Sequence, residues 1–209
     1  GRREGGLLLF TAAQFREHYK AGEGTAMDTL FETLIGRVDG LMAASCGFPL
    51  PDSGGHTLED VTYTRRLDRP VYGYPLAIDV GVMPIVSITS AYVDETWAFG
   101  ASTAVAAGDM EIDSARGWVW LTPDAVSSWS TTPRSNKVVV VAGWATTPPG
   151  LIALGAAAVR HILDGNRTGS IVNLTQGGQS LTRSDADAIL PRSVVDGLGA
   201  YRNWGAFVG

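Results

Sequence analysis

Asp109, Glu111 and Asp113 stand at alternate positions. On an extended chain, alternate side chains share one face. Three carboxylates on one face could hold Ca²⁺. The spacing is not that of a calcium loop, and Met110 and Ile112 would then face the core. A solvated strand face is therefore the preferred reading, with no metal ligand assigned. The three histidines, His18, His56 and His161, include no i, i+4 pair. His56 follows Ser53-Gly54-Gly55 in a predicted loop. A general base there would need an orienting partner, and the sequence names none. His161 falls near the apolar face of a predicted helix and reads as a partly buried, satisfied side chain. Asp94-Glu95 reads as a hairpin turn. No Gly-x-Ser-x-Gly elbow, P-loop or dinucleotide fingerprint occurs, and Gly22-Glu23-Gly24 and Gly177-Gly178 are isolated. The sequence thus points to no catalytic residue, no cofactor and no metal.

Aromatic residues supply the remaining chemistry. Trp118 and Trp120 flank Val119, so on a strand both rings point to one face. Trp97, Trp129 and Trp144 fall in or near loops of the same β region. Such rings suit a sugar or peptide site, although core packing and subunit contacts are the commoner use. The C-terminal stretch Tyr201 to Gly209 carries Trp204, Phe207 and Val208 among glycines. Termini are usually frayed and polar unless docked. This one reads as a segment that packs on its own domain or anchors in a partner's groove.

The chain that must position these groups has 209 residues, 45 % of them hydrophobic and 18 % charged, with a net charge of −5. That composition predicts a packed core. It argues against a free-standing nucleic-acid binder, though not against a wall that DNA slides past. Cys46 is the single cysteine, which excludes an intrachain disulfide and suggests a buried, inert thiol. No signal peptide and no membrane-spanning run is read, so synthesis in a cytoplasm is expected. Asn166-Arg167-Thr168 and Asn173-Leu174-Thr175 are then chance matches to the glycosylation pattern.

Thr11 and Gln14 form a predicted capping box before a short helix. From about Thr25, Met27, Leu30, Phe31, Leu34, Ile35, Val38, Leu41 and Met42 recur in steps of three and four, with Asp28, Glu32, Arg37 and Asp39 mostly off the stripe. Short strands follow at 58–67, 75–79, 85–93, 111–113, 118–121 and 137–142, with a turn at 114–117. They suggest a small antiparallel sheet or sandwich. Helix returns after Pro148-Pro149, with Leu151, Leu154, Ala158 and Ile162 along its buried line, and stops at Asp164-Gly165-Asn166. A hairpin or arm around Gly177-Gly178 is expected at 170–183. Ser184-Asp185 caps a short turn, and Pro191 starts a last helix carrying Val194, Val195, Leu198 and Tyr201 on one face. The fold class is α+β. The expected parts are a helical part at 1–56, an inserted β-domain at 57–147, a second helical part at 148–202 and a tail at 203–209.

The order of these pieces resembles a known family. It runs from Ala44-Ser45-Cys46-Gly47, through Pro84 and Ile85 to Asp94, to Glu111 to Val119, Val138 to Trp144, Pro148-Pro149, and Leu190 to Val195 with Leu198 and Tyr201-Arg202. This resembles the head–tail connector (adaptor) family of tailed bacteriophages, in its members with a β-domain insertion. The resemblance spans about Phe10 to Arg202. It implies a virion protein that forms a ring, usually of twelve copies, beneath the portal protein. It implies a platform for the next neck or tail protein (a stopper or tail terminator) and a lumen through which genomic DNA passes without sequence-specific binding. It implies manufacture in the host bacterial cytoplasm and no membrane partner. The family's portal-binding C-terminal segment corresponds here to Leu198, Tyr201, Arg202, Asn203, Trp204, Phe207 and Val208. The arm, with Ile171, Asn173, Leu174, Gln179 and Leu181, would pack on a neighbouring subunit. The β-insertion would face outward or touch neighbours or capsid.

Two readings from other classes compete. A carbohydrate- or ligand-binding protein would use the tryptophan-rich β-domain and need no oligomer. A hydrolase would centre on His56 or on Asp109, Glu111 and Asp113, and it ranks last for want of a nucleophile, base and orienter.

Overall fold

The computed structural model describes residues 9–19, 27–167, 173–176, 179–182 and 190–202. Helices combine with small antiparallel sheets, an α+β fold. The chain divides into two units. One takes the described residues up to Cys46 together with Thr147–Arg202, and the other takes Gly47–Thr146.

In the first unit, α1 (Ala12–Tyr19) begins at a reciprocal cap. The Thr11 amide donates to Gln14 Oε1 at 2.7 Å, and the Gln14 amide donates to Thr11 Oγ1 at 3.1 Å. α1 buries Phe15, whose ring meets Phe31 of α2 (Asp28–Ser45) at 5.0 Å. Arg16 pairs with Asp28. Ile35, Val38 and Met42 of α2 are wholly enclosed. Two stripe members differ from expectation: Met27 and Leu30, at the helix start, are 48 % and 42 % exposed. Asp39, expected off the stripe, is buried. It stands four residues after Ile35 and three before Met42, the steps that bring side chains onto one helical face.

α3 (Pro149–Arg167) continues past the expected stop at Asp164-Gly165-Asn166. Glycine and asparagine lower helix propensity without blocking it, unlike proline. An i, i+4 pair between Arg160 and Asp164 at 2.8 Å supports this last stretch. Gly155 admits close packing: a Cβ there would lie 2.7 Å from the Phe10 ring and 2.8 Å from Leu9. α4 (Arg192–Gly197) and a 3₁₀ turn (Leu198–Tyr201) bury Val194 and Leu198. β7 (Asn173–Gln176) pairs antiparallel with β8 (Gln179–Thr182), Leu174 opposite Leu181.

The second unit holds β1 (Val61–Leu67), β2 (Ala77–Asp79), β3 (Ile85–Val93), β4 (Met110–Asp113), β5 (Trp118–Leu121) and β6 (Asn136–Ala142). They form two three-stranded antiparallel sheets, β1-β6-β3 and β2-β5-β4. The valine-rich β6 is central in its sheet. Asn136, Val138, Val140 and Ala142 are buried, and the residues between them are half-buried. β6 ends at Gly143, whose φ of +121° and approach to the Glu59 carbonyl leave no room for a Cβ (2.0 Å). Val119 and Leu121 of β5 are buried between edge strands. Met110 and Ile112 stand opposite the buried Leu121 and Val119 and so share the core-facing side, as expected, but they are less enclosed: Met110 is half-buried and Ile112 is 38 % exposed. β4 is a short edge strand, so no further strand covers its outer side.

Candidate functional site

The β2-β5-β4 sheet presents a face of rings and carboxylates. Register sets Ala77, Trp120 and Glu111 in one row and Asp79, Trp118 and Asp113 in the next. Trp118 and Trp120 therefore share a face, as their alternation predicts, with ring centroids 6.1 Å apart. Tyr74 joins them at 5.6 Å and 5.7 Å, tilted by 50° and 80°. The three rings pack against one another rather than forming a flat platform. The Arg116 guanidinium lies 5.5 Å from the Trp118 ring and pairs with Asp113 Oδ2 at 3.0 Å. Asp79 Oδ1 accepts the Gly81 amide at 2.8 Å, and its carboxylate accepts a hydrogen bond from the Trp118 side chain. Burial pushes the Asp79 carboxyl up from its ordinary value, and those hydrogen bonds with the Arg65 charge oppose the shift. A tight turn beside this face has the Tyr74 amide donating to the Val71 carbonyl at 2.9 Å, with Gly73 at φ +80°. It leaves Tyr72 fully exposed.

The second sheet carries a different surface at the finish of β3. Arg66 stands opposite Lys137, and Lys137 opposite Tyr92. The Arg66 guanidinium lies 5.1 Å from the Phe99 ring; Lys137 Nζ lies 5.1 Å from Tyr92 and 5.5 Å from Phe99. Asp94 builds the loop that supplies Phe99. Its Oδ1 accepts from the Thr96 amide and hydroxyl at 2.8 and 2.7 Å, and its Oδ2 from the Phe99 amide at 2.7 Å. These bonds, the Thr96 hydroxyl first, hold the carboxyl below its ordinary value. Asp94 is thus buried and organises the turn expected there: the Trp97 amide donates to its carbonyl at 3.2 Å, and the chain folds back antiparallel onto β3 at the Tyr92–Ala104 bridge. Trp97 and Phe99 have positive φ, 62° and 51°, uncommon for aromatic residues. Trp97 is 54 % exposed at this loop.

The other candidate residues fall elsewhere. Asp109 ends a 3₁₀ turn, and Glu111 is exposed on the Trp120 row. Among the described residues no group of three His, Cys, Asp or Glu side chains could hold a metal ion. His56 is half-buried, and its Nδ1 has no hydrogen-bond partner among the described residues. Trp129 is buried, its indole N–H donating to the Leu76 carbonyl at 3.0 Å. Trp144 packs on Phe48 at 5.6 Å. In the helical unit Cys46 is wholly buried, which pushes its thiol up to about 11 against the pull of the Arg202 charge. Leu198 is enclosed, while Tyr201 and Arg202 are half-buried. A Cβ on Gly150 would lie 2.2 Å from the Tyr201 hydroxyl. Asn203, Trp204, Phe207, Val208 and Ile171 lie outside the described residues, as do the side chains of Asn173, Leu174, Gln179 and Leu181. No helix among the described residues is long and apolar enough to cross a membrane.

Tyr74, Asp79, Tyr92, Phe99 and Asp94 were not singled out as site residues from the sequence. The first four reach their places through strand pairing or loop folding between distant segments. Asp94 did leave a local signal, an Asp two residues before a Thr, the spacing of an Asx turn.

No protein-family model matches the chain, and no curated protein matches it. Solved structures do share its fold. A chain in a structure described as the neck of a native gene transfer agent (GTA) particle computed with C12 symmetry is 14 % identical with a TM-score of 0.50. The match covers 91 % of this chain and 86 % of that one. A chain in a structure of the virion of a native gene transfer agent particle is 15 % identical with a TM-score of 0.52, covering 93 % and 89 %. At these identities the likeness is one of fold.

Proposed function

We propose that this chain is a structural protein of a virion neck, a head–tail adaptor. It forms a ring, of twelve copies, beneath the portal. It joins the capsid vertex to the next neck or tail protein and lines part of the DNA path. The observation that carries this reading is fold likeness over more than nine tenths of the chain to a chain from a particle neck. The order of helices, β unit and helices, which resembles the adaptor family, points the same way. The reading assigns no catalysis to the chain. The segment after Leu198 engages the portal, with Trp204 and Phe207 as anchors. The arm at 170–183 packs on a neighbouring copy. Many moderate contacts, repeated around a ring, hold firmly without strong pairwise affinity.

Particle assembly tests the reading. Cells making the particle without this chain should accumulate DNA-filled heads and separate tails. A chain truncated after Arg202 should restore few complete particles. Complete particles in normal yield without the chain would contradict the reading. The exposed rings of the β unit favour a second reading, binding of a carbohydrate or other ligand. It predicts that truncation after Arg202 leaves binding intact.

A further inference from the structure

Arg202 is half-buried, and the backbone that delivers it is held in place. The turn before it is clamped to α3 twice. A Cβ on Gly197 would lie 2.7 Å from Leu154, and a Cβ on Gly150 would lie 2.2 Å from the Tyr201 hydroxyl. Leu198 between them is wholly enclosed. At Arg202 the chain becomes extended, with φ −64° and ψ 137°, and leaves that turn.

The side chain delivered there is unsatisfied. Its Nε is shut off from solvent and donates to no acceptor among the described residues. No carboxylate among them pairs with the guanidinium. Other half-buried cations are engaged. Arg16 pairs with Asp28, Arg65 Nε donates to the Val80 carbonyl at 3.1 Å, and Lys137 lies over the rings of Tyr92 and Phe99. An enclosed N–H without an acceptor is rare in folded proteins and costs about as much as a lost hydrogen bond. What steadies the charge is diffuse. Cys46, whose thiol feels the Arg202 charge, caps the C-terminus of α2. That end of a helix carries the negative end of its dipole and tolerates a cation without bonding any one N–H.

A guanidinium is planar, with its donors in a fixed fork. The ligand that fits it is a carboxylate, which two N–H groups bind at once. A DNA phosphate fits this position less well. Phosphates are met by solvated cations, and this chain carries exposed arginines elsewhere, Arg37, Arg66 and Arg134 among them. An enclosed guanidinium is reached by a side chain pressed in with a surface that expels water.

We infer that Arg202 receives an aspartate or glutamate of the portal. Docking draws the guanidinium off the end of α2 into a bidentate pair with that carboxylate. The inference rests on the adaptor reading and names the chemistry of its portal contact. Trp204 and Phe207, the proposed anchors, follow within five residues. Arginine beside aromatic anchors is the usual make-up of the residues that carry most of an interface's affinity.

The test uses the full chain and purified portal rings of its own particle. Portal affinity is measured by titration, and the melting temperature of the unbound chain is measured beside it. Arg202→Met keeps the reach of the side chain and removes its charge and donors. It should weaken portal binding at least about tenfold. The same variant should melt at or above the wild-type temperature, because the unmet N–H is gone. Arg202→Lys, a cation without the planar fork, should bind with intermediate affinity. Wild-type affinity should fall more steeply than that of Arg202→Met between ~50 and ~500 mM salt. Equal portal affinity of wild type and Arg202→Met would overturn the inference and leave the adaptor reading standing. So would three other results: affinity lost together with a lowered melting temperature, which marks a structural role; equal salt slopes, which mark an uncharged acceptor; or loss of duplex DNA binding alone, which marks a phosphate. A wild-type chain that binds no portal would overturn both.

Discussion

Two titratable residues give the sharpest predictions at the scale of single side chains. Burial raises the Cys46 thiol from 9.0 to about 11. Between those values the unfolded chain releases a proton that the folded chain keeps, so stability present below pH 9 falls as pH rises toward 11. Ellman's reagent at pH 8 should leave the folded chain untouched and react with one thiol after denaturant is added. Rapid reaction of the native chain would contradict the enclosed position. Asp79 is also raised, from 3.8, by burial. Just above that pH the folded state retains a proton that the unfolded state has lost. Stability therefore falls as pH rises through the window, and the cost persists at neutral pH. Asp79→Asn should melt at or above the wild-type temperature at pH 7, with the difference gone at pH 3. A lower melting temperature at pH 7 would mean that contacts to Gly81 and Trp118 outweigh the burial. The sequence disclosed the Trp118/Trp120 face because alternation is a local property. It could not disclose Tyr74 or Asp79, which join through the β2–β5 pairing between segments about forty residues apart.

At the scale of elements, local rules succeeded where the deciding contacts are local. The Thr11/Gln14 cap and the spacing of Phe31, Ile35, Val38 and Met42 placed two helices, and both contacts lie within a few residues. They failed where a neighbouring element decides. Alternation gives the face of Ile112, opposite the buried Val119, but not its 38 % exposure, which follows from the edge position of β4. The sequence puts the end of α3 at Asp164-Gly165-Asn166, and the helix runs on to Arg167 because a single glycine costs only about 1 kcal/mol in a helix. Gly143 tests the junction after β6. Its positive φ alone would cost a β-carbon residue about 1–3 kcal/mol, and the Glu59 carbonyl adds a clash. Gly143→Ala should lower the denaturant midpoint by at least that equivalent. A midpoint equal to wild type would show that the 59–60 backbone shifts freely. Gly100, whose φ is not positive and whose Cβ would meet nothing within 4 Å, supplies the control: Gly100→Ala should be nearly neutral.

At the scale of the molecule, single-sequence patterning could not determine assembly, because ring contacts need a partner surface that no intrachain periodicity reveals. What does bear on it is the whole order of elements and a fold shared with chains of a gene transfer agent particle. The most direct measurement is electron microscopy of the purified full chain mixed with the portal ring of its own particle. A closed ring of added density below the portal, with the portal's symmetry and absent when the chain ends at Arg202, is the predicted result. Portal rings that gain no density at micromolar concentrations of the chain would contradict the adaptor.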